Sequence, residues 1–143
     1  IMPLQKPNVM YVNSMAQGGT SYIPQLSQSS GIMMYIPDLP MRSEPYIMIR
    51  VAGASMEPIY KDGCYVICYH IKERSQLLID AVHIVTTSDS VYLKEVRFLN
   101  KQAKEFPEHF RLSSLSPNYE PIYLHPDDDR PEFYRVVCVI NHI

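Results

Sequence analysis

The sequence predicts a mostly-β protein. Short apolar runs rich in Val, Ile and Tyr recur along the 143 residues, 12 prolines and 5 glycines punctuate them, and sustained helical periodicity is nearly absent. β-Branched and aromatic side chains suit a pleated surface, and proline, lacking an N–H, marks where a ladder stops. With 46% hydrophobic and 20% charged residues, the chain has the composition of a globular domain. At this length it can bury roughly two-thirds of its unfolded surface.

Residues 1–31, rich in Pro, Gln, Ser, Asn and Gly, read as an N-terminal arm or linker, with a short strand at 9–12 and a flexible loop at Gln17-Gly18-Gly19-Thr20-Ser21. Residues 32–143 read as the main domain. Strands are expected at 32–36 and 46–51, separated by a proline-punctuated connection. A short helical turn follows at 56–60, and Lys61-Asp62-Gly63 reverses the chain into a buried strand at 64–69. Residues 71–80 fit a loop or short helix. Residues 82–87 and 91–98 form a hairpin about Ser88-Asp89-Ser90. After a charged loop at 101–108 come strands at 109–115 and 119–124, with a turn at Ser116-Pro117-Asn118 between them. Asp127-Asp128-Asp129-Arg130 reads as a solvated turn rather than a metal site. Residues 133–143 close the chain as a strand, and the alternation over 134–140 suits an edge that a second copy would cover.

Composition also excludes function classes. A net charge of −2 with no basic run gives no electrostatic footprint for nucleic acid, so DNA binding would have to come from elsewhere. The first residue, Ile1, suggests a fragment or a processed chain. No apolar run approaches the roughly 20 residues of a membrane span, and no signal peptide is visible. Cys64, Cys68 and Cys138 are an odd set without metal-site spacing; Cys64 and Cys68 alternate with apolar residues and read as buried free thiols, which fits a reducing cytoplasm. His70, His83, His109, His125 and His142 are scattered, so no metal ligand and no cofactor is assigned.

The chemistry points to Val51-Ala52-Gly53-Ala54-Ser55-Met56-Glu57-Pro58. A strand leads into small residues, a serine and a proline. That corner can lift the Ser55 hydroxyl out of a sheet and leave backbone N–H groups free around Ser55 and Met56. A serine nucleophile needs both features. The candidate base is Lys94. In Val91–Phe98, period-two alternation puts Tyr92, Lys94, Val96 and Phe98 on one face, where Lys94 is the one charged group. A buried, unpaired ammonium tends to give up its proton, and a neutral lysine can take one from serine. Each residue also has a plainer reading, a turn serine and a lysine whose amine reaches water.

Taken together, Gly53-x-Ser55-Met56-x-Pro58, then Lys61-Asp62-Gly63, then a lysine 39 residues after the serine, resemble the self-cleaving peptidase domain of LexA and phage repressors. Leu112-Ser113-Ser114-Leu115-Ser116-Pro117-Asn118-Tyr119-Glu120-Pro121 is similar to that family's Leu-x-Ser-Asp-Asn-Pro-x-Tyr-x-Pro segment. The resemblance covers roughly 100 residues from Tyr46 onward. It implies a strongly bent, partly barrel-like β fold in which Ser55 and Lys94 form a catalytic dyad. By the same resemblance the arm carries the self-cleaved bond, and Ala16-Gln17-Gly18-Gly19 places it at Gly18–Gly19. The sequence departs from the family pattern at Ala54, Cys64, Leu115 and Ser116, and Gly18 replaces the residue before the cut.

Three functions are compatible with these residues. The first is the C-terminal, self-cleaving and dimerising domain of a LexA-like transcriptional regulator. Its DNA-binding part would lie outside this chain, and in the LexA class a RecA filament promotes cleavage. The second is a sensing and dimerisation module that keeps the fold without cutting. The third is a UmuD-like accessory protein of a DNA polymerase. All three imply a homodimer and no membrane.

Overall fold

The computed structural model describes residues 5–16, 31–73, 81–98 and 110–141. Among these described residues there are nine strands: β1 (Val9–Ala16), β2 (Ile32–Met34), β3 (Tyr46–Val51), β4 (Tyr65–Ile71), β5 (Ala81–Thr86), β6 (Val91–Phe98), β7 (Phe110–Ser113), β8 (Ile122–Leu124) and β9 (Glu132–Ile140). They form one mixed sheet in the order β2-β1-β3-β4-β9-β5-β6-β7-β8. β1 and β3 run parallel, and every other neighbouring pair is antiparallel. The described residues contain no helix, so the expected β class is the one adopted. The sheet is not closed, and β2 and β8 are its outer strands.

β3 and β6 occupy the runs expected of them. The strands expected at 109–115 and 119–124 are shorter, because Pro117 and Pro121 flank the turn and cannot donate to a ladder. Residues 56–60 form a turn rather than a regular helix. The loops expected at 17–21 and 101–108, and residues 74–80 of the 71–80 segment, lie outside the described residues.

The expectation that residues 134–140 form an edge strand is corrected. β9 lies inside the sheet, and Phe133, Tyr134 and Arg135 register with both β4 and β5. Phe133 and Tyr134 are adjacent and both buried, which in a strand means that both faces are covered. Among the described residues, Val136, Cys138, Val139 and Ile140 register with β4 alone, with Val137 at a register shift, so only this half retains an open side.

With no helix among the described residues to cover it, this sheet buries its core by folding over itself. In a flat sheet, the four steps from β3 to β6 would separate them by about 19 Å at ~4.8 Å per step. Instead β1 contacts β6 directly, across the intervening β3, β4, β9 and β5. The largest buried cluster fills this fold. It gathers Ile47, Ile49 and Val51 of β3, Val66 and Cys68 of β4, Ile84 of β5, Val91 and Leu93 of β6, and Tyr134 of β9. Two further clusters lie around Val96, Phe110, Leu112 and Phe133, and around Val9, Tyr46, Met48 and Ile67. β3 contributes alternate residues to the first and third clusters, so it is covered on both faces. The fold thus brings the end of β3 toward β6 and β7.

Candidate active site

The segment after β3 is pinned at several points. Gly63 donates to the Val51 carbonyl at 2.7 Å, and Val51 donates to the Cys64 carbonyl at 2.8 Å, which locks the end of β3 against the start of β4. Gly63 has φ 83° and Gly53 has φ 96°, in the left-handed region where a side chain is penalised, which explains glycine at these two corners. The Asp62 carboxylate accepts the Gly53 N–H at 2.9 Å. Met56 is 2% exposed and packs in the largest core cluster, with Tyr60 and Leu115 against it, so it anchors the turn. Ser55, next to that anchor, is half-buried.

Lys94 reaches the same point from β6. Its neighbours Leu93 and Val91 belong to one buried cluster and Tyr92 and Val96 to another, which is the alternation expected of this strand. The Lys94 Nζ lies 2.9 Å from Ser55 Oγ and 2.7 Å from Ser114 Oγ. Lys94 is only 4% exposed. Among the described residues it forms no ion pair, and its hydrogen bonds go to those two hydroxyls. Burial lowers its pKa below that of ordinary lysine, because the charged form loses hydration that no carboxylate replaces. The Tyr119 ring, 5.8 Å from Nζ, supplies a weaker attraction for the charged form.

Ser116, beyond Ser114, donates its N–H to the Ser55 carbonyl at 3.0 Å. Among the described residues, the N–H groups of Ser55 and Met56 find no acceptor. They remain available to an incoming carbonyl oxygen.

The structure therefore brings together Ser55, Met56 and Lys94. Gly18 and Gly19 lie outside the described residues, although the strand leading to them is in place. β1 runs parallel to β3 with Ala16 beside Val51, after a register shift between Tyr11 and Met15. Two site residues had no role assigned from sequence. Asp62 reads only as part of a chain reversal, yet its carboxylate braces the corner before the serine. Ser114 stands in the quoted downstream segment, and only the pairing of Glu95 with Ser113 reveals that the next residue lies beside Lys94.

Two cavities of about 510 and 670 Å³ lie near the opposite end of β3, around Arg42, Glu44 and Pro45. They carry no nucleophile–base pair, so the chemistry of the donors rather than the concavity locates the site. Among the described residues, no group of three His, Cys, Asp or Glu side chains is placed to hold a metal ion. The Asp127–Asp129 segment is a turn in which Asp129 accepts the His125 N–H at 2.6 Å. No described helix is long and apolar enough to cross a membrane.

Comparison with curated proteins finds no significant match. A family model does match, the one described as Peptidase S24-like, over residues 10–133. That span runs from β1 into β9 and includes Ser55, Lys94 and Ser114, and on this evidence the chain belongs to the S24-like peptidase family, which includes the LexA, UmuD and phage-repressor domains.

Proposed function

We propose that this domain cleaves its own N-terminal arm by Ser–Lys chemistry, as the peptidase and dimerisation domain of a LexA-like transcriptional regulator. The observation that carries the reading is the 2.9 Å approach to Ser55 Oγ of a buried lysine that has no counter-ion among the described residues. Neutral Lys94 takes the Ser55 proton as Oγ attacks the scissile carbonyl. The free N–H groups of Ser55 and Met56 receive the developing oxyanion. The resulting ammonium protonates the departing amine, and water, deprotonated by Lys94, then hydrolyses the acyl-enzyme.

The arm is the substrate in this reading. Ala16 lies beside Val51 in parallel register, so the chain leaves β1 in the direction that β3 takes toward Ser55. The proposed bond, Gly18–Gly19, offers no side chain to clash in a narrow cleft. A second glycine raises the entropy of the free loop by a few tenths to about 1 kcal/mol, which slows cleavage by less than about tenfold. Dimerisation is assigned to the open half of β9, where Val137 and Ile140 are exposed. DNA contact falls to a segment outside this chain, and promotion by a RecA filament belongs to the same proposal.

Incubation at pH 9–10, where lysine loses its proton without a co-protease, tests the reading by mass spectrometry. Two fragments joined at Gly18–Gly19 are expected, with none from Ser55→Ala, and Gly18→Ala should cut faster. Undiminished fragments from folded Ser55→Ala would remove Ser55 from the mechanism. A wild-type chain that stays intact would leave the non-cleaving sensing module.

A further inference from the structure

We propose that Ser114 is a positioning residue of the Ser55–Lys94 pair, its hydroxyl holding the lysine amine in line with Ser55 while Ser116, two residues on, holds Ser55 itself. This rests on the Ser–Lys reading of the site. Lys94 Nζ lies 2.7 Å from Ser114 Oγ, closer than its 2.9 Å to Ser55, and the Ser116 N–H meets the Ser55 carbonyl at 3.0 Å. One short segment thus ties down both partners. The segment is itself fixed: Glu95 pairs with Ser113 at the end of β7, and Leu115 packs against the largest core cluster.

A neutral amine has one lone pair and two N–H bonds. To accept the Ser55 proton, the lone pair must face Ser55 Oγ, and rotation about the Cε–Nζ bond would otherwise sweep it away. Donation of one N–H to Ser114 Oγ stops that rotation. When the proton moves from Ser55 Oγ to Nζ, the ammonium still donates to Ser114, which keeps its own proton throughout. A hydrogen bond strengthens when its donor becomes charged, so the contact favours the transition state over the ground state. Both hydroxyls lie within reach of one amine, but the free N–H groups of Ser55 and Met56 suit attack by Ser55.

The titratable groups facing Lys94 are His83, its register partner on β5, Tyr92 on its own strand, and Tyr119. His83 is fully buried and held neutral by that burial. No carboxylate bonds to the amine among the described residues, so removal of Ser114 leaves the ammonium with the Ser55 hydroxyl as its one remaining acceptor there, and with none in the Ser55→Ala background.

The test has two arms. In the full chain, pH–rate profiles of self-cleavage are compared for wild type, Ser114→Ala, Ser114→Cys and Ser114→Thr. Separately, in the Ser55→Ala background, where no cleavage is expected, the ¹³Cε resonance of Lys94 is titrated with and without Ser114→Ala, assigned by its loss in Lys94→Met. Ser114→Ala should lower the plateau rate about tenfold to a hundredfold, the size of a hydrogen bond to a charged group. It should also move the acidic limb and the NMR midpoint to lower pH, because the charged form has lost its acceptor. Ser114→Thr should restore both, and the near-isosteric Ser114→Cys should fall between. An unchanged plateau, or an NMR midpoint that stays or rises, overturns the proposal. If wild type never cleaves, the proposed function fails, and the NMR arm still decides the role of Ser114.

Discussion

Exchanging Lys94 for Met sets the cost of the buried amine against its use. Methionine has nearly the length of lysine, packs among Tyr92, Val96 and Tyr119, and carries no charge to desolvate. Burial lowers the Lys94 pKa, so the folded chain holds this proton less tightly than the unfolded chain does. The penalty is absent above the unfolded lysine pKa of about 10.4, grows as the pH falls through the window between the two values, and is complete below the folded one. Each unit of lowering corresponds to about 1.4 kcal/mol. Against this gain, the variant leaves the Ser114 hydroxyl without the partner it has at 2.7 Å, a loss of about 1 kcal/mol. Exchange of buried charges for packed apolar groups typically stabilises by about 1–4 kcal/mol, so a net gain of about 1–2 kcal/mol is expected at pH 7. For a chain of this size that raises Tm by about 3–7 °C.

The assay is urea denaturation of Ser55→Ala against Ser55→Ala/Lys94→Met from pH 6 to pH 10, with the serine removed so that cleavage cannot blur the transitions. The double variant should be the more stable at pH 7, and the gap should close as the pH approaches 10. A double variant that is less stable at pH 7, or a gap independent of pH, would show that Lys94 is not a desolvated cation in the folded protein. Lys94→Met alone should also abolish self-cleavage.

Gly53→Ala should destabilise by about 1–2 kcal/mol, because the residue sits at φ 96° and the space around an added Cβ is open, leaving backbone strain as the cost; thermal melts followed by circular dichroism check this. In the native protein, iodoacetamide should modify Cys138 before Cys64 or Cys68, both of which are buried and have thiol pKa values raised by that burial. Peptide mass spectrometry reads the order, and early modification of Cys68 would contradict the packing of β4. Val137→Glu should convert a dimer to a monomer in sedimentation velocity, since it places a charge on the open half of β9; unchanged sedimentation of a dimer would move the interface elsewhere.

What the sequence made legible depended on distance along the chain. β3 and β6 were readable because each is a short β-rich run ended by a local signal, Gly53 for one and the Ser88-Asp89-Ser90 turn before the other. The Ser55–Lys94 pairing was readable only because the residue types and the 39-residue spacing match a family pattern, since neither residue alone specifies a partner. The place of β9 was misread because alternation describes one strand's faces and carries no information on neighbour order. A cue was nonetheless present in the consecutive apolar residues Phe133 and Tyr134, which imply cover on both faces. Ser114 had no local cue. A serine just past a strand looks like turn chemistry, and its approach to Lys94 follows from the register of β6 with β7.

The curl of the sheet connects the fold to the chemistry. Laid flat, β3 and β6 would stand about 19 Å apart, beyond the reach of any lysine. Folding the sheet over a core of β3, β4, β6 and β9 side chains closes that distance, and the same closure removes water from the meeting point. Proximity and desolvation therefore come from one event. An exposed lysine at this spacing would be nearby but protonated at neutral pH, and a buried lysine on a flat sheet would be deprotonated more easily but out of reach. Only a sheet bent far enough to bury Lys94 between Ser55 and Ser114 gives the amine both a proton to accept and a reason to accept it. It follows that loosening the curl, for instance by cutting back the β1–β6 contact, should raise the Lys94 pKa and slow the chemistry together, before the sheet itself unfolds.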